Sequence, residues 1–208
     1  ALTFAVSKLL QVEGDISEIA RQGSGSSTRS LFGGFVTWKM GEKDDGSDSV
    51  AVQVVDENHW KEMEVLILVV CADKKKVSST AGMQETVKTC PLIEERMKVV
   101  PERMEQMETA IKNKDFPSFA RLTMLDSDHF HELCRTTVPP IHYLNDVSRN
   151  IISLVNEFNE NQIRAAYTFD AGPNAVIYLE REHVPEFLSL VLQVFPFPES
   201  ESGFINNG

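Results

Sequence analysis

Hydrophobic and polar positions alternate with a helical period at the start of the chain. Apolar side chains recur along one face between Leu2 and Leu10, which predicts a helix from the first residue. Asp15 is followed three residues later by Glu18, the spacing of a capping box, so a short second helix is predicted from about residue 16 to residue 21. The pattern therefore predicts two helices before any extended segment.

The period changes to that of strands after residue 30. Residues 30–40 predict a strand with a glycine pair at its centre, and residues 50–55 predict a second strand. Glycine inside a strand often marks a place where another backbone or a ligand approaches closely. Residues 64–72 are almost unbroken aliphatic, and this pattern predicts a strand that is buried on both faces.

The remainder is mostly helical and then returns to strands. Helical periodicity predicts a helix that begins near residue 81, helical structure over residues 92–133 with Pro101 and the DFPSF turn (residues 115–119) as interruptions, and a helix over residues 141–159. Two strands are predicted on either side of the sequence DAGP, at residues 165–169 and 174–179, and a last helix at residues 184–195. Strands, a helical block and a final strand pair in this order indicate the α+β class.

Composition and charge exclude several classes of protein. The 208 residues are 42% hydrophobic with a net charge of −11, so we expect no broad nucleic-acid surface. The aliphatic run is far shorter than the ~20 residues that span a bilayer, and the start does not resemble a signal peptide. Three widely spaced cysteines indicate reduced thiols. We therefore expect a cytoplasmic protein that binds neither nucleic acid nor a membrane.

The sequence GSGSSTR at residues 23–29 combines small residues with a single arginine. Ser24 and Ser26 carry hydroxyl donors, the small residues expose backbone N–H groups, and Arg29 has a planar charged fork. Such a loop can hold phosphate or carboxylate oxygens. A solvent-exposed turn with an incidental arginine has the same local sequence, so both interpretations stay open at this point.

A second candidate loop lies at residues 74–80, where three lysines precede Ser78, Ser79 and Thr80 at the predicted start of a helix. Helix N-termini attract anions through free N–H groups and the helix dipole. A surface lysine run followed by an ordinary helix cap is the alternative interpretation.

Asp170 ends a hydrophobic strand and precedes the residues Ala-Gly-Pro-Asn. Its carboxylate is therefore expected at a tight turn beside the core, where it can act as a base or accept hydrogen bonds from its own turn. His129 and His131 lie two apart in a helical context and so point to different faces, and no metal ligand is assigned.

Several motifs, taken in order, resemble the signatures of one enzyme family. The sequences GSGSSTRSLFGGFVTWKMG, VSSTAGMQETV and AYTFDAGPNAV, with FPSFARLTMLDSDHFHELC and PPIHYLN between them, are similar to those of mevalonate diphosphate decarboxylases, a family of the GHMP kinase superfamily. The resemblance extends from residue 1 to about residue 198. One departure is Ser27–Thr28, where the family has Ala-Cys before the arginine; both pairs are small.

The resemblance implies a GHMP-kinase-like α+β fold. Residues 1–58 would form the end of the N-terminal domain, which is ribosomal-S5-domain-2-like, and would carry the substrate loop. Residues 59–208 would form the C-terminal domain, an α/β sandwich. In this family the helix that starts near Ala1 follows directly on a phosphate loop that holds ATP. We therefore expect the chain to be the C-terminal portion of the enzyme and to be inactive alone.

The resemblance also implies a reaction and a set of site residues. The family converts mevalonate 5-diphosphate and ATP to isopentenyl diphosphate, ADP, phosphate and carbon dioxide, with Mg²⁺ bound to ATP, and commonly forms homodimers. Asp170 is implied to contact the 3-hydroxyl group of the substrate, and Arg29 is implied to bind its carboxylate. The other residues implied to bind the substrate are Ser24, Gly25, Ser26, Ser27, Thr28, Ser79 and Thr80.

Two rival interpretations belong to different classes. A sister small-molecule kinase of the superfamily shares the fold, and release of carbon dioxide rather than ADP alone would distinguish the two enzymes. A non-catalytic domain or fragment without the ATP-binding half is the other interpretation, and ATP binding by the chain alone would test it.

Overall fold

The chain divides into two compact units in the structure, which is a computed structural model that describes residues 2–71 and 77–196. The first unit contains residues 1–61 and 101–115, and the second contains residues 62–100 and 116–208. Ala1, the three lysines at residues 74–76 and the part of the family resemblance beyond residue 196 lie outside the described residues.

The first unit consists of helical segments and a two-stranded antiparallel sheet. Its elements are α1 (Leu2–Leu10), α2 (Ser17–Gly23), a 3₁₀ helix (Gly25–Leu31), β1 (Phe35–Trp38) and β2 (Ala51–Val55). The two helices and β2 confirm the predictions. The strand predicted at residues 30–40 begins only at Phe35, because the Ser/Gly segment before it continues as a 3₁₀ helix.

The start of α2 differs from the predicted capping box. Asp15 accepts a hydrogen bond from the N–H of Ser17 at 2.8 Å, but Ile16 occupies the N-cap position and makes no side-chain cap bond. Asp15 therefore closes a local turn ahead of the helix, and the prediction of a capping box with Glu18 is wrong.

The glycine pair ahead of β1 fits against the end of β2. Gly34 has a φ of +70°, and a Cβ atom there would collide with the backbone of Val55 and Asp56. The strand register shifts between Phe35 and Val36 at the same place. Glycine is required at residue 34 because its φ is in the left-handed region and because the backbone of the neighbouring strand leaves no room for a Cβ atom. The close approach of another backbone to the glycine pair is thus confirmed.

The second unit contains a three-stranded antiparallel sheet in the order β3-β5-β4. The strands are β3 (Met63–Leu68), β4 (Ala165–Thr168) and β5 (Ala175–Glu180), and the helices are α3 (Ser79–Thr89), α5 (Phe116–Thr136), α6 (Asp146–Phe158) and α7 (Val184–Val194). One further helix, α4 (Ile93–Asn113), has residues in both units. Helices and an antiparallel sheet confirm the α+β class.

The core of the second unit is centred on β5. Ile177 and Leu179 are fully buried and alternate with half-buried neighbours, the pattern of a strand with one face in the core. Phe187 of α7 is also fully buried and packs edge-on against Phe158 of α6, with ring centroids 5.2 Å apart. Burial of each such side chain stabilises the fold by roughly 1.5–3 kcal/mol.

Two predicted helix boundaries are wrong. Pro101 does not interrupt the helical block, because it lies inside α4. The helix predicted at residues 141–159 begins instead at Asp146, since Asn145 caps it by accepting the N–H of Ser148 at 2.9 Å. The residues between Pro140 and Asn145 therefore lie outside the helix.

Strand β3 is an edge strand, contrary to the prediction that it is buried on both faces. Among the described residues β3 pairs with β5 alone. Val65 and Ile67 are 50% and 65% exposed, and because they are two apart they lie on the same face of the strand, which is therefore not buried. In the part of the chain that the structure describes, no helix is long and apolar enough to cross a bilayer.

Candidate functional site

The Ser/Gly segment of the first unit exposes three polar side chains. Ser24 and Ser26 are exposed, and their Oγ atoms lie 3.2 Å apart. Arg29 lies one turn further along the 3₁₀ helix and is also exposed; within the described residues its guanidinium makes no hydrogen bond or ion pair. This face of the segment offers two hydroxyl groups and a guanidinium, which together suit an anionic ligand.

The other two polar residues of the segment point inward and hold it together. Ser27 donates hydrogen bonds to the carbonyl groups of Ala20 and Ser24, both at 2.7 Å. Thr28 is fully buried, and its Oγ1 donates to the carbonyl of Ser17 at 3.5 Å. Ser27 and Thr28 therefore contribute to the shape of the loop through their side chains.

The start of α3 in the second unit has the geometry of an anion-binding helix end. Ser78 is the N-cap, and its hydroxyl accepts the N–H of Ala81 at 3.2 Å. Ser79 and Thr80 form the exposed first turn, whose N–H groups have no partner within a helix. These N–H groups and the positive end of the helix dipole favour phosphate or carboxylate oxygens at this position.

Asp170 lies directly beyond the sheet. The β4–β5 ladder ends with the pair Thr168 and Val176, so the backbone from residue 169 to residue 174 makes no ladder bonds. The Asp170 side chain is exposed, and its carbonyl accepts the N–H of Gly172 at 2.7 Å in a tight turn. The carboxylate is thus presented at the sheet end, as the sequence predicted.

Two side chains, Ser148 and Asn174, fix the second half of this turn. The hydroxyl of Ser148 in α6 donates to the carbonyl of Pro173 at 2.8 Å. The side-chain oxygen of Asn174 accepts the N–H groups of Val70 and Cys71, at 2.9 and 3.0 Å. Asn174 therefore connects the Asp170 turn to the segment that leaves β3 in the direction of α3.

The peptide before Asp170 is held by helix α5. The N–H of Phe169 donates to the hydroxyl of Ser127 at 3.1 Å, and the carbonyl of Phe169 lies 3.3 Å from Nε2 of His131. Burial lowers the pKa of His131, so the imidazole is neutral near pH 7 and donates this bond through Nε2–H. His131 is therefore a structural histidine in contact with the turn.

An acidic residue, Asp128, lies on the same helix, one residue after Ser127. The hydroxyl of Tyr167 in β4 donates to both carboxylate oxygens of Asp128, each at 3.0 Å. Burial raises the pKa of Asp128, and the tyrosine bond opposes this shift. Asp128 thus links α5 to β4 through the side chain of Tyr167. This link is close to the bonds that α5 makes with the backbone of Phe169.

The predicted site residues fall into two groups according to their unit. Ser24, Ser26 and Arg29 share one exposed loop in the first unit, whereas Ser79, Thr80 and Asp170 belong to the second. The residues that the sequence interpretation missed are the anchors of the Asp170 turn: Ser127, Ser148 and Asn174. Ser127 and Asn174 lie inside two of the quoted family motifs, and this was the sequence signal that could have pointed to them. No quoted motif contains Ser148.

One group of side chains has metal-binding geometry, and it lies elsewhere. Ligand atoms of Glu180, Glu182 and His183 are all within 4.8 Å of one another, the sole group of three or more that a search of the described residues found. This group lies at the C-terminal end of β5, whereas the Asp170 turn precedes the N-terminal end of that strand at Ala175. The strand from Ala175 to Glu180 is about 17 Å long. The group is therefore separate from the candidate site.

The chain matches two family models. Residues 65–207 match the model described as Mevalonate 5-diphosphate decarboxylase C-terminal domain. Residues 1–51 match the model described as Diphosphomevalonate decarboxylase-like N-terminal domain. Together these matches cover most of the chain and follow the order of the motifs.

Individual relatives agree with the family models. The diphosphomevalonate decarboxylase of Danio rerio is 53% identical over 206 residues, which cover 98% of this chain and 52% of that protein. The solved mevalonate diphosphate decarboxylase from Trypanosoma brucei has a TM-score of 0.90 and 45% identity, covering 95% of this chain and 54% of that one. A structure described as MDDEF in complex with MVAPP, AMPPCP and magnesium has a TM-score of 0.80 and 31% identity, and the match covers 87% of this chain and 55% of that one. The chain thus spans about half the length of the relatives it matches.

Proposed function

The chain belongs to the mevalonate 5-diphosphate decarboxylase family, and we propose that the whole protein catalyses the ATP-dependent decarboxylation of mevalonate 5-diphosphate to isopentenyl diphosphate in the mevalonate pathway. ADP, inorganic phosphate and carbon dioxide are the other products. The observation that carries the proposal is the match of both family models along the chain, because the relatives share 45–53% identity and a GHMP-type fold with it.

Asp170 is proposed to orient the 3-hydroxyl group of the substrate. A tertiary alcohol is a far weaker acid than a carboxylic acid, so an aspartate cannot deprotonate it before the reaction. The carboxylate instead accepts a hydrogen bond from the hydroxyl and takes up its proton late, as the oxygen forms its bond to phosphorus. The exposed position of Asp170 beyond the sheet and its rigidly held turn support this role.

Arg29 is proposed to bind the substrate carboxylate through a bidentate pair. Both guanidinium N–H donors of the fork match the two carboxylate oxygens, so the carbon–carbon bond that breaks is held in one orientation. The exposed guanidinium on the 3₁₀ helix supports the assignment. A lysine at this position would supply the charge without the fork.

The remaining donors are proposed to hold the phosphates and the carboxylate end of the substrate. Ser24 and Ser26 supply hydroxyl groups, with backbone N–H groups of residues 25–28 beside them, while Gly25, Ser27 and Thr28 shape the loop. Ser79 and Thr80 approach the substrate phosphates from the start of α3, where free N–H groups already favour anions.

ATP and Mg²⁺ are proposed as the co-substrate and its metal ion. A solved relative in complex with AMPPCP and magnesium supports their use. When bound, Mg·ATP supplies the phosphoryl group that converts the 3-hydroxyl into a leaving group. The hydroxyl groups of Ser24 and Ser26, the Arg29 guanidinium and the N–H groups at the start of α3 are donors that fit anionic oxygen atoms. Asp170 is an acceptor and is assigned to the substrate hydroxyl; no residue of this chain is assigned to the adenine or to Mg²⁺.

We further propose the organisation implied by the sequence. Residues 1–58 would complete the N-terminal domain with the substrate loop, and residues 59–208 would form the C-terminal domain; the two family models support this division with boundaries at residues 51 and 65. The whole protein is proposed to be a cytoplasmic homodimer. Light scattering of the purified whole protein tests the dimer.

The decisive assay follows carbon dioxide. The whole protein is given carboxyl-labelled mevalonate 5-diphosphate with and without ATP and Mg²⁺, and released carbon dioxide and ADP are measured together. We expect equal amounts of the two products, dependent on ATP, and their loss in Asp170→Asn. ADP without carbon dioxide would identify a kinase and contradict the proposal.

A further inference from the structure

The peptide that precedes Asp170 receives its hydrogen bonds from a helix rather than from the sheet. The last ladder pair is Thr168 with Val176, so the N–H and the carbonyl of buried Phe169 need other partners. Ser127 accepts the N–H at 3.1 Å, and His131 donates to the carbonyl at 3.3 Å. These two residues are four apart in α5 and therefore lie on one helix face, where they bond to the peptide groups on either side of the Phe169 Cα atom.

The other side of the turn is fixed as well. The carbonyl of Pro173 accepts the hydroxyl of Ser148, and Asn174 accepts two backbone N–H groups from the end of β3. Asp170 is thus the exposed residue of a short turn whose flanking peptides are both anchored. Because the anchors hold the backbone on both sides of Asp170, they limit the direction of its Cα–Cβ bond and so the region that the carboxylate can reach.

We propose that Ser127 and His131 are positioning residues for the reaction: by clamping the backbone of Phe169, they set where the carboxylate of Asp170 meets the substrate. This inference rests on the proposed function, in which Asp170 orients the 3-hydroxyl group. A shift of about 1 Å in a reacting group can lower the rate of a chemical step about a hundredfold. Loss of either clamp bond is therefore expected to reduce kcat.

The surroundings of His131 favour a fixed ring. Its imidazole packs edge-on against Phe130, Tyr143 and Phe169, at centroid distances of 5.0, 6.5 and 6.3 Å. The residue is 7% exposed, and burial keeps it neutral with Nε2–H as the donor. Because the imidazole ring is packed on several sides, its Nε2–H group holds the carbonyl of Phe169 in a fixed position.

The opposite end of the same strand provides a matched control. Asn159 accepts the N–H of Ala165 at 3.0 Å and donates to its carbonyl at 2.8 Å, so it clamps both backbone groups of one residue as Ser127 and His131 do together. Ala165 is about 17 Å of extended chain from Asp170. Asn159→Ala should therefore destabilise β4 without moving Asp170.

The test compares variants of the whole protein. We expect Ser127→Ala and His131→Leu to lower kcat about tenfold to a hundredfold, with the KM of both substrates changed by less than about threefold. His131→Gln retains a side-chain N–H donor and should recover part of the loss. Asn159→Ala, with a comparable decrease in Tm, should keep the kcat of the parent enzyme.

A double-mutant cycle with Asp170 decides whether the clamp acts through this residue. In the Asp170→Asn background, Ser127→Ala should cause no further loss of the residual kcat, because the group that it positions is already absent. Multiplicative losses, or an equal decrease of kcat in Asn159→Ala, would overturn the inference. If Ser127→Ala does not fold, the pair His131→Leu and His131→Gln gives the same decision through kcat.

The outcomes separate this inference from the proposed function. Full activity of Asp170→Asn would contradict the role of Asp170 itself and the inference with it. A strongly reduced kcat in Asp170→Asn together with normal kcat in the Ser127 and His131 variants would overturn the positioning role alone and leave the proposed reaction intact.

Discussion

The indole ring of Trp38 lies against the backbone of Gly25, so that a Cβ atom on residue 25 would be 2.9 Å from Cη2 of the ring. Trp38 is itself held in place, because its Nε1 donates to the hydroxyl of Ser49 at 3.1 Å, and Ser49 donates to the carbonyl of Lys39. The ring of β1 thus supports the segment that carries Ser24, Ser26 and Arg29.

Gly25→Ala should therefore displace the substrate loop. The methyl group cannot fit beside a ring that is fixed by a hydrogen bond, so we expect a raised KM for mevalonate 5-diphosphate and a lower Tm. Gly23→Ala is the matched control, because a Cβ there meets nothing within 4 Å. Trp38→Phe removes the colliding ring atoms, and the double variant should regain binding. Normal kinetics of Gly25→Ala alone would refute the support role of Trp38.

Gly82→Ala should destabilise the fold although alanine favours helices. Helix propensity alone predicts a gain of roughly 0.5–1 kcal/mol, but a Cβ on Gly82 would be 2.5 Å from the Tyr143 hydroxyl. We expect a lower Tm and weaker binding of the substrate phosphates, because α3 carries Ser79 and Thr80. The variant is measured by thermal unfolding and by KM.

Removal of the Tyr143 hydroxyl provides the control for this prediction. In a Tyr143→Phe background the collision partner is gone, so Gly82→Ala should there restore the stabilisation expected from helix propensity. An equal decrease in Tm in both backgrounds would show that the contact with Tyr143 is not the cause.

Arg29→Lys should separate charge from orientation. Lysine retains the positive charge but cannot make two parallel bonds to a carboxylate, so we expect the variant to retain some activity with kcat lowered about tenfold or more. Arg29→Gln, which has no charge, should in addition raise KM. The assay is carbon dioxide release by the whole protein, and Arg181→Lys, at an exposed ion pair with Glu64, is the control. Unchanged kinetics of Arg29→Lys would contradict the assignment of Arg29 to the substrate carboxylate.

Protonation of His131 should weaken the fold in mild acid. Because burial lowers its pKa, the unfolded chain, with an ordinary pKa of about 6.5, binds the proton more readily than the native state. The contribution of His131 to stability is therefore complete above about pH 6.5 and is lost as the pH falls towards its native pKa. The carbonyl of Phe169 favours the charged form, but burial outweighs it.

Comparison with His131→Gln isolates this effect. Asp170, Arg135 and Tyr143, the neighbouring ionisable groups, are present in both proteins. The difference in Tm between the parent and the variant should decrease as the pH is lowered from about 7 to about 5. A difference that stays constant over this range would contradict a buried neutral histidine.

Local sequence predicted the elements and residues that depend on neighbours along the chain. The start of α3 at Ser79, the exposed arginine after a Ser/Gly segment and the carboxylate at the end of β4 follow from caps, turns and strand patterns. The anchors of the Asp170 turn could not be found in this way. Ser127 contacts a residue 42 positions away, and Asn174 contacts one 104 positions away.

The error at β3 has a similar cause. An unbroken aliphatic run does not show whether other elements cover both faces of a strand, and in β3 the face of Val65 and Ile67 is exposed. Its position at the edge of the sheet depends on the order of the strands, which local sequence does not contain either. The predicted start of α6 was wrong for another reason. Pro139–Pro140 indicated where the preceding helix ends, but the N-cap Asn145, with its bonds to Ser148, determines where α6 begins.

The edge position of β3 has a consequence for the handling of the purified chain. A strand edge with exposed Val65 and Ile67 is a template on which a second copy can add its own strand. The net charge of −11 keeps copies apart at low ionic strength, and added salt screens this repulsion over a distance of about 8–10 Å. The 208-residue chain should therefore precipitate more readily as salt is raised, and a lysine substituted for Ile67 should keep it dispersed in concentrated solution.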